Sequence, residues 1–499
     1  MYSIESGFTI TPVRGSMRRT RIIATIGPAS DSKEILGSLL RAGVDVCRLN
    51  YSHGAPADKS EIYQRIRGFE EELGHPTCIL ADLPGPKLRL GDFEGVIFLK
   101  QDSIVELHCG VAEMADVSPE KIPVAYPGLS AELQAGDPVL IADGLIRLMV
   151  KSTPDCAGGV VICEVEDGGP VSARKGINVP GTMVDLPAIG PRDEAALAHA
   201  IEAGADYVAV SYVRCAKDLH PAKEAIIAAG MHIPVIAKIE HPAALINLDE
   251  ILDYADAVMV ARGDLGVEIP LEEVPVVQQR IIDGALSRGM VVIVATQMLE
   301  SMTYNPRPTR AEASDVSTAI RHGATAVMLS GETASGDYPL VAVETMARIA
   351  EATENGLAIQ GINPSSLAKF KSTRAVAHAG VELAKIAKAN RIIVATEHGN
   401  APRLVSGYNP GIPITAVTNR IRAARRSHLL PGVDCVIVEE HERGSITMQN
   451  AIISLLNSGR VKVNEIIVVI SGSPLAMGGP TSTVRLYKIN ANGEIIGAE

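Results

Sequence analysis

Two apolar runs in this chain end in groups that could hold a metal and an anion together. IPVIAKIEHP, residues 233–242, delivers Lys238 and Glu240; AVMVARGDLG, residues 257–266, delivers Arg262, Gly263 and Asp264. Each run is rich in β-branched residues and reads as a buried parallel strand. Cations and two carboxylates gathered at such ends suit a metal-assisted reaction on an anionic substrate. A single Lys–Glu pair could equally cap a sheet, so the surrounding elements must decide.

Those elements repeat. After a lead-in over residues 1–17, the segment 18–84 gives three strands, RIIATIG, VDVCRLNYSHG and TCILADLPG. The first two are followed by amphipathic helices, the earlier of which Asp31 is placed to N-cap. From 85 to 186 short strand-like runs alternate with Gly, Pro and Asp turns, the pattern of an all-β insert. LPAIGPRDEAALAHAIEAGA then supplies the helix that strand three lacked, with Asp193 near its start. Over 187–356 the alternation resumes with DYVAVSYV, IPVIAKIE, DAVMVARGDLG, MVVIVATQ and ATAVMLSGET, each followed by a helix. Eight such units predict an α/β fold, a (β/α)8 TIM barrel with an all-β lid inserted after strand 3. Beyond a linker, the C-terminal region 357–499 alternates again as a separate α/β domain, closed by STVRLYKI (482–489) as an edge strand. An open doubly wound sheet is the competing fold; its usual Gly-rich first turn, GxGxxG or GxxxxGK[ST], is not in the chain.

In a barrel, the carboxyl ends of the strands meet on one face. Read in order, those ends carry Arg48 and Asn50, Asp82, Ser211, Lys238 and Glu240, Arg262 to Asp264, Thr296, then Ser330 and Glu332. Unpaired buried charge is costly, so the expectation is one shared wet pocket. Glu240 and Asp264 suit a hard divalent cation such as Mg2+, which keeps waters and binds substrate oxygens. Arg48 and Lys238 suit anionic oxygens, and Thr296 adds a hydroxyl. That set fits phosphoryl transfer, where positioning and charge neutralisation do most of the catalysis. Ser330 and Glu332 could instead brace the pocket wall.

Composition removes other classes. A net charge of −12 argues against a general nucleic-acid or membrane-surface binder. Seven scattered cysteines show no metal-ligand spacing and read as reduced core thiols. Neither a secretory leader nor a run of roughly 18 apolar residues is visible, so a soluble cytoplasmic protein is expected.

RLNYSHG, GPKLRLG, AKIE, MVARGDLGVE, ATQMLESM and LSGETA, in this order, resemble pyruvate kinase over most of the chain. The resemblance implies transfer of a phosphoryl group from phosphoenolpyruvate to ADP, with Mg2+ or Mn2+. It implies metal ligation by Glu240 and Asp264. The substrate carboxylate would be held by the backbone of Gly263 and Asp264 with Thr296, and its phosphate by Arg48, with Ser211 beside the substrate. Lys238 would stabilise the transferring group and the enolate, and water ordered by Thr296 would protonate the carbon. Asn50, His53, Arg89 and Lys175 would lie at the nucleotide phosphates, Lys175 reaching in from the lid. A homotetramer is also implied.

Two departures from the family pattern carry expectations of their own. Relatives with a bound K+ use groups matching Asn50, Ser52, Asp82 and the carbonyl at Leu83, and have Thr, Lys and Glu where this chain has Leu83, Pro84 and Lys87. The Lys87 ammonium would stand in for the ion, as in the potassium-independent branch, so K+ is expected not to be required. In the C-terminal domain the loop Thr396–Ala401 has His398 and Ala401 in place of hydroxyls, and Glu397 adds repulsion. This argues against fructose 1,6-bisphosphate as activator. It leaves open another phosphorylated effector, met by residues 471–483 with Arg403, Arg422, Arg425 and Arg426. A metal-dependent carbon–carbon lyase would share Glu240, Asp264 and Arg48 but need neither Lys175, Arg89 nor His53. A catalytically silent paralogue would not need Lys238 intact.

Overall fold

The computed structural model describes residues 18–73, 76–356, 371–439, 444–472 and 481–497. The lead-in 1–17, the linker stretch 357–370 and residues 473–480 of the proposed effector loop lie outside the described residues.

Eight short runs of almost entirely buried side chains form a closed parallel barrel. They are β1 (Arg21–Thr25), β2 (Val46–Asn50), β3 (Cys78–Asp82), β4 (Tyr207–Val210), β5 (Val235–Ile239), β6 (Ala257–Ala261), β7 (Val291–Ala295) and β8 (Ala326–Leu329). Neighbours pair in the order 1-8-7-6-5-4-3-2, so the sheet has no edge. Inward side chains such as Ile23, Val46, Leu80, Ile236, Met259 and Ile293 fill the barrel; the alternate set, Ile22, Leu49, Val258 and Val294 among them, packs on the outer helices. Burying one such side chain contributes about 1.5–3 kcal/mol, so both faces of each strand stabilise the closed form.

The helices end where local chemistry permits. Ser32, one residue beyond the expected Asp31, is the N-cap of Lys33–Ala42 and accepts from the Ile35 amide. Asp193, in the first turn of Pro191–Ala203, accepts from Gly190 and also from the Gly85 amide, which ties the start of the lid to the barrel. Gly85 has φ +73, and a Cβ there would fall 2.5 Å from that of Ser211. Only glycine allows that approach.

The lid joins six strands in one sheet, Ile177–Asn178, Pro138–Ile141, Ile146–Ser152, Val160–Asp167, Ile104–Cys109 and Lys121–Val124, with Val96–Leu99 and Gly169–Ser172 forming a second small sheet. A single helical turn, Leu129–Glu132, interrupts the all-β pattern.

The C-terminal sheet contains β9 (Arg391–Ala395), β10 (Ile414–Thr418), β11 (Val433–Ile437), β12 (Ile466–Gly472), β13 (Thr481–Ile489) and β14 (Ile495–Gly497), in the order 11-10-9-12-13-14. β13 was expected at the edge; β14 covers it instead. The reason is a tight turn in which Asn490 Oδ1 accepts from the Asn492 and Glu494 amides and Gly493 takes φ +80, folding the chain back as a hairpin. Among the described residues no helix is long and apolar enough to cross a membrane. All seven cysteines are free thiols, with Cys156 exposed.

Candidate active site

At the carboxyl end of the barrel the residues closing β2, β4, β5 and β6 converge on a cavity of about 800 Å3 roofed by the lid, while Asp82 and Thr296 lie outside its lining. Its lining includes Arg48, Asn50, Ser52 and His53 from β2 and its loop, Ser211, Lys238, Glu240 and Asp264 from β4 to β6, and Lys87, Arg89 and Lys175 from the hinge and lid.

Lys238 lies at its floor. Its Nζ donates to Ser211 Oγ at 2.7 Å and lies 2.9 Å from Glu240 Oε1 and 3.2 Å from Asp82 Oδ1. Ser211 Oγ in turn donates to the Leu83 carbonyl at 2.8 Å. Burial alone would lower the ammonium pKa, but Asp82 and Glu240 outweigh it and the group stays charged. Asp82, fully buried, also takes Arg48 Nε at 2.7 Å. Burial raises its pKa, yet Lys238 and Arg48 together hold it below the usual carboxylate range. Arg48 Nη1 donates to Thr25 Oγ1 at 2.8 Å, so its fork is held from both sides.

Glu240 has one oxygen on Lys238 and the other on the Tyr212 amide at 2.8 Å. Burial lifts its carboxyl pKa; Lys238 opposes this and the nearby Asp264 charge adds to it. Two carboxylates that repel one another across a wet cavity are a fitting donor pair for a hard cation. No group of three or more metal-ligating side chains occurs among the described residues. The protein's share of any coordination shell would therefore be small, as Mg2+ tolerates.

Thr296 follows β7 with φ +64, and Gln297 with φ +53. Its Oγ1 accepts from the Gly263 amide at 2.7 Å and donates to the Ala295 carbonyl at 2.6 Å, which puts the hydroxyl at the first turn of the helix Arg262–Glu268 beside Asp264.

Several expected members stand elsewhere. Arg262 does not face the shared pocket. The helix starts at once after β6 and turns its guanidinium outward to Asp315 at 2.7 Å and to the Thr296 and Gln297 carbonyls at 2.8 and 3.2 Å. It braces the left-handed loop that presents Thr296. Glu332 is buried and accepts from the Leu299 and Ser330 amides, so it is a brace too. Lys87 lines the cavity, but its nearest carboxylate is Asp143 of the lid at 3.8 Å, while Asp82 is taken up by Arg48 and Lys238. Asn50 Oδ1 accepts from the Ser52 amide, and Arg89 Nη1 donates to the Arg174 carbonyl. His53 is largely exposed; what desolvation the cavity wall imposes, together with the positive charges of Lys59, Arg89, Arg48 and Arg192 around it, depresses its pKa.

The four C-terminal arginines expected to meet a phosphate are turned to the barrel instead. Arg403 donates to the Gly289 carbonyl, Arg422 approaches Met231 Sδ, Arg425 grips Glu70, and Arg426 donates to the His232 carbonyl. They dock one domain on the other, where carbonyls left at the start of the strands need donors. In the loop after β9, Thr396 Oγ1 accepts from the Gly399 amide, and the His398 ring stacks on His232 of the barrel.

Sequence reading missed Thr25 and Arg192. Thr25 closes β1, the one strand end left out of the strand-end reading. Arg192 donates to the Ser52 carbonyl and lines the cavity from a helix start that carries no distinguishing signal.

Comparison with known proteins gives the following similarities. The family described as pyruvate kinase, barrel domain, matches residues 17–343, and the pyruvate kinase alpha/beta domain matches residues 374–487. A pyruvate kinase of Geobacillus stearothermophilus is 41% identical over 493 residues, spanning 96% of this chain and 82% of the relative. One from Mycobacterium intracellulare is 38% identical over 473 residues, spanning 95% and 98%. The crystal structure of a pyruvate kinase from Cryptosporidium parvum aligns with a TM-score of 0.87 at 32% identity, over 95% of this chain and 96% of that one.

Proposed function

This chain belongs to the pyruvate kinase family, and from that premise we propose how its residues move a phosphoryl group from phosphoenolpyruvate to ADP. The observation that carries the reading is the Lys238 ammonium, held between Asp82, Glu240 and Ser211 on the floor of a cavity that Arg48, Arg89 and Lys175 also line. The bond broken joins phosphorus to the enol oxygen; the bond formed joins it to a terminal oxygen of ADP. Negative charge passes from the attacking ADP oxygen to the enol oxygen that leaves, and a fixed cation beside that path stabilises the transferring group and the enolate without reorganising.

In this reading Lys238 faces the transferring group and the enolate left behind, and Arg48 holds the substrate phosphate. The Gly263 and Asp264 amides with Thr296 receive the substrate carboxylate, and Ser211 keeps Lys238 aimed. Asn50, His53, Arg89 and Lys175 meet the nucleotide phosphates under the lid. Glu240 and Asp264 would hold Mg2+ or Mn2+, which supplies Lewis-acid neutralisation of the substrate's anionic oxygens. The enolate carbon takes its proton from water ordered by the Thr296 hydroxyl.

Activity without K+ is part of the same proposal. Its support is the positive charge already gathered here: Asp82 is paired with Arg48 and Lys238, and Lys87 brings another ammonium to the cavity. A phosphorylated effector other than fructose 1,6-bisphosphate remains proposed for the C-terminal domain, and a homotetramer in the cytoplasm for the whole chain, with the free thiols consistent with a reducing compartment.

Pyruvate release from phosphoenolpyruvate is measured with and without ADP, with Mg2+ or after chelation, and with tetramethylammonium as sole monovalent cation. Turnover requiring ADP and the divalent ion but not K+ is expected. Pyruvate formed without ADP would overturn the kinase reading, and activity that collapses in tetramethylammonium and returns with K+ would overturn the monovalent one.

A further inference from the structure

Tyr212 is a bulky residue with φ +57, in the left-handed region that few side chains other than glycine occupy. Such a conformation costs about 1–3 kcal/mol and persists only where surrounding contacts enforce it. Three contacts do so. The Tyr212 amide donates to Glu240 Oε2 at 2.8 Å, its hydroxyl donates to Glu268 Oε1 at 2.8 Å, and Asn178 Nδ2 lies 3.3 Å from the same hydroxyl. Asn178 Nδ2 also donates to Glu268 Oε1 at 2.8 Å.

These residues come from three parts of the fold. Asn178 ends the last strand of the lid, where it returns to the barrel, and Tyr212 follows β4. Glu268 is the last residue of the helix whose first turn carries Asp264. Glu268 and Asn178 are both buried, at 6% exposure each. Behind them lies a cavity of about 40 Å3 lined by Lys87, Asn178, Tyr212, Asp264 and Glu268 among others. The cavity leaves room for a water or two beside these groups, while the Tyr212 ring also packs on His241 with 5.7 Å between ring centroids.

We propose that Asn178, Tyr212 and Glu268 form a latch through which the lid's attachment sets the aim of the Tyr212 amide at Glu240, making all three positioning residues for the metal-holding carboxylate. The proposal rests on the reading of Glu240 as a metal ligand given above. Glu268 accepts from the lid and from β4's loop at a single oxygen, so a shift of the lid strand is felt at the phenol. The phenol and the amide belong to one residue in one strained conformation. Releasing the hydroxyl lets the backbone relax out of the left-handed region and turns the amide away from Glu240, leaving that carboxylate free to reorient.

Mn2+ binding to the full-length protein, followed by electron paramagnetic resonance without substrates, tests this apart from turnover. Tyr212→Phe, Asn178→Ala and Glu268→Ala are each expected to weaken Mn2+ binding roughly tenfold, at the low end for a group that orients a metal ligand. Glu268→Gln keeps the accepting oxygen and is expected to bind within about twofold of wild type. The double variant Tyr212→Phe with Asn178→Ala should be no weaker than the worse single, because both break one latch. Thermal unfolding of each variant identifies any loss that is merely one of folding. Glu240→Gln is the reference. If it binds Mn2+ like wild type, the metal reading itself fails. If it loses binding while well-folded Tyr212→Phe and Asn178→Ala bind like wild type, or if the two single losses simply add, the latch is refuted.

Discussion

Replacing Lys238 with methionine keeps an unbranched side chain one atom shorter and removes its charge. In the folded protein that charge lies 2.9 Å from Glu240 and 3.2 Å from Asp82, with 8% of the residue exposed. At an effective dielectric of about 20, each pair near 3 Å is worth roughly 5 kcal/mol of attraction, against which the cost of desolvating the charges is set. Breaking a buried pair typically costs about 3–5 kcal/mol. Because Arg48 still neutralises Asp82 and the Tyr212 amide still serves Glu240, the stability loss is expected near the lower figure. Turnover should fall much further. A preorganised cation at the site of developing charge contributes on the order of 10³ in rate, about 4 kcal/mol of barrier. Since this interaction strengthens only as charge moves, kcat and kcat/KM for phosphoenolpyruvate should drop together. The assay couples pyruvate to lactate dehydrogenase, with stability followed in parallel by denaturant unfolding. A kcat within about tenfold of wild type, alongside the expected stability loss, would make Lys238 a structural ion-pair member and refute its catalytic role.

Three further outcomes follow from particular contacts. Thr296→Val removes the acceptor for the Gly263 amide and should lower kcat about 10²-fold, while Thr296→Ser stays within a few-fold; equal losses would remove the hydroxyl from the argument. Arg425 grips Glu70 across the seam between barrel and C-terminal domain, with 18% and 9% of the side chains exposed, so Arg425→Ala should cost about 3 kcal/mol. The double variant with Glu70→Ala should cost less than the sum of the singles, and strict additivity would deny the coupling. His232 has its pKa lowered by burial, with Arg426 and His398 adding to the effect, and the Asp256 charge opposes them. The unfolded chain therefore takes up this proton first, so stability is full above about pH 6.5 and declines as the pH falls below it. His232→Gln should flatten that decline in unfolding curves taken between pH 7.5 and 5, and unchanged profiles would exclude the histidine as its source.

The strand–helix alternation, the insertion point after β3 and the polar ends of the strands were all determined by the sequence alone. These are local properties. Period, composition and turn residues are written in contiguous residues, and in a barrel the end of each strand has a known face. That is why Arg48, Lys238, Glu240, Asp264 and Thr296 were identifiable as candidates before any contact was known. Only the tertiary structure decided where their neighbours point. Arg262 occupies the same kind of position as Lys238 yet turns outward, because a helix begins immediately and Asp315, far along the chain, offers it a partner. The arginines at 403, 422, 425 and 426 look like phosphate ligands in the sequence, and closure against the barrel gives Arg403 and Arg426 carbonyls, Arg425 the Glu70 carboxylate and Arg422 the Met231 sulfur instead. Glu268 closes the run MVARGDLGVE but was given no role from it, and Tyr212 and Asn178 belong to none of the runs that carry the resemblance. Their meeting depends on the lid returning to the barrel beside β4 and β6, a long-range packing event that no local pattern encodes.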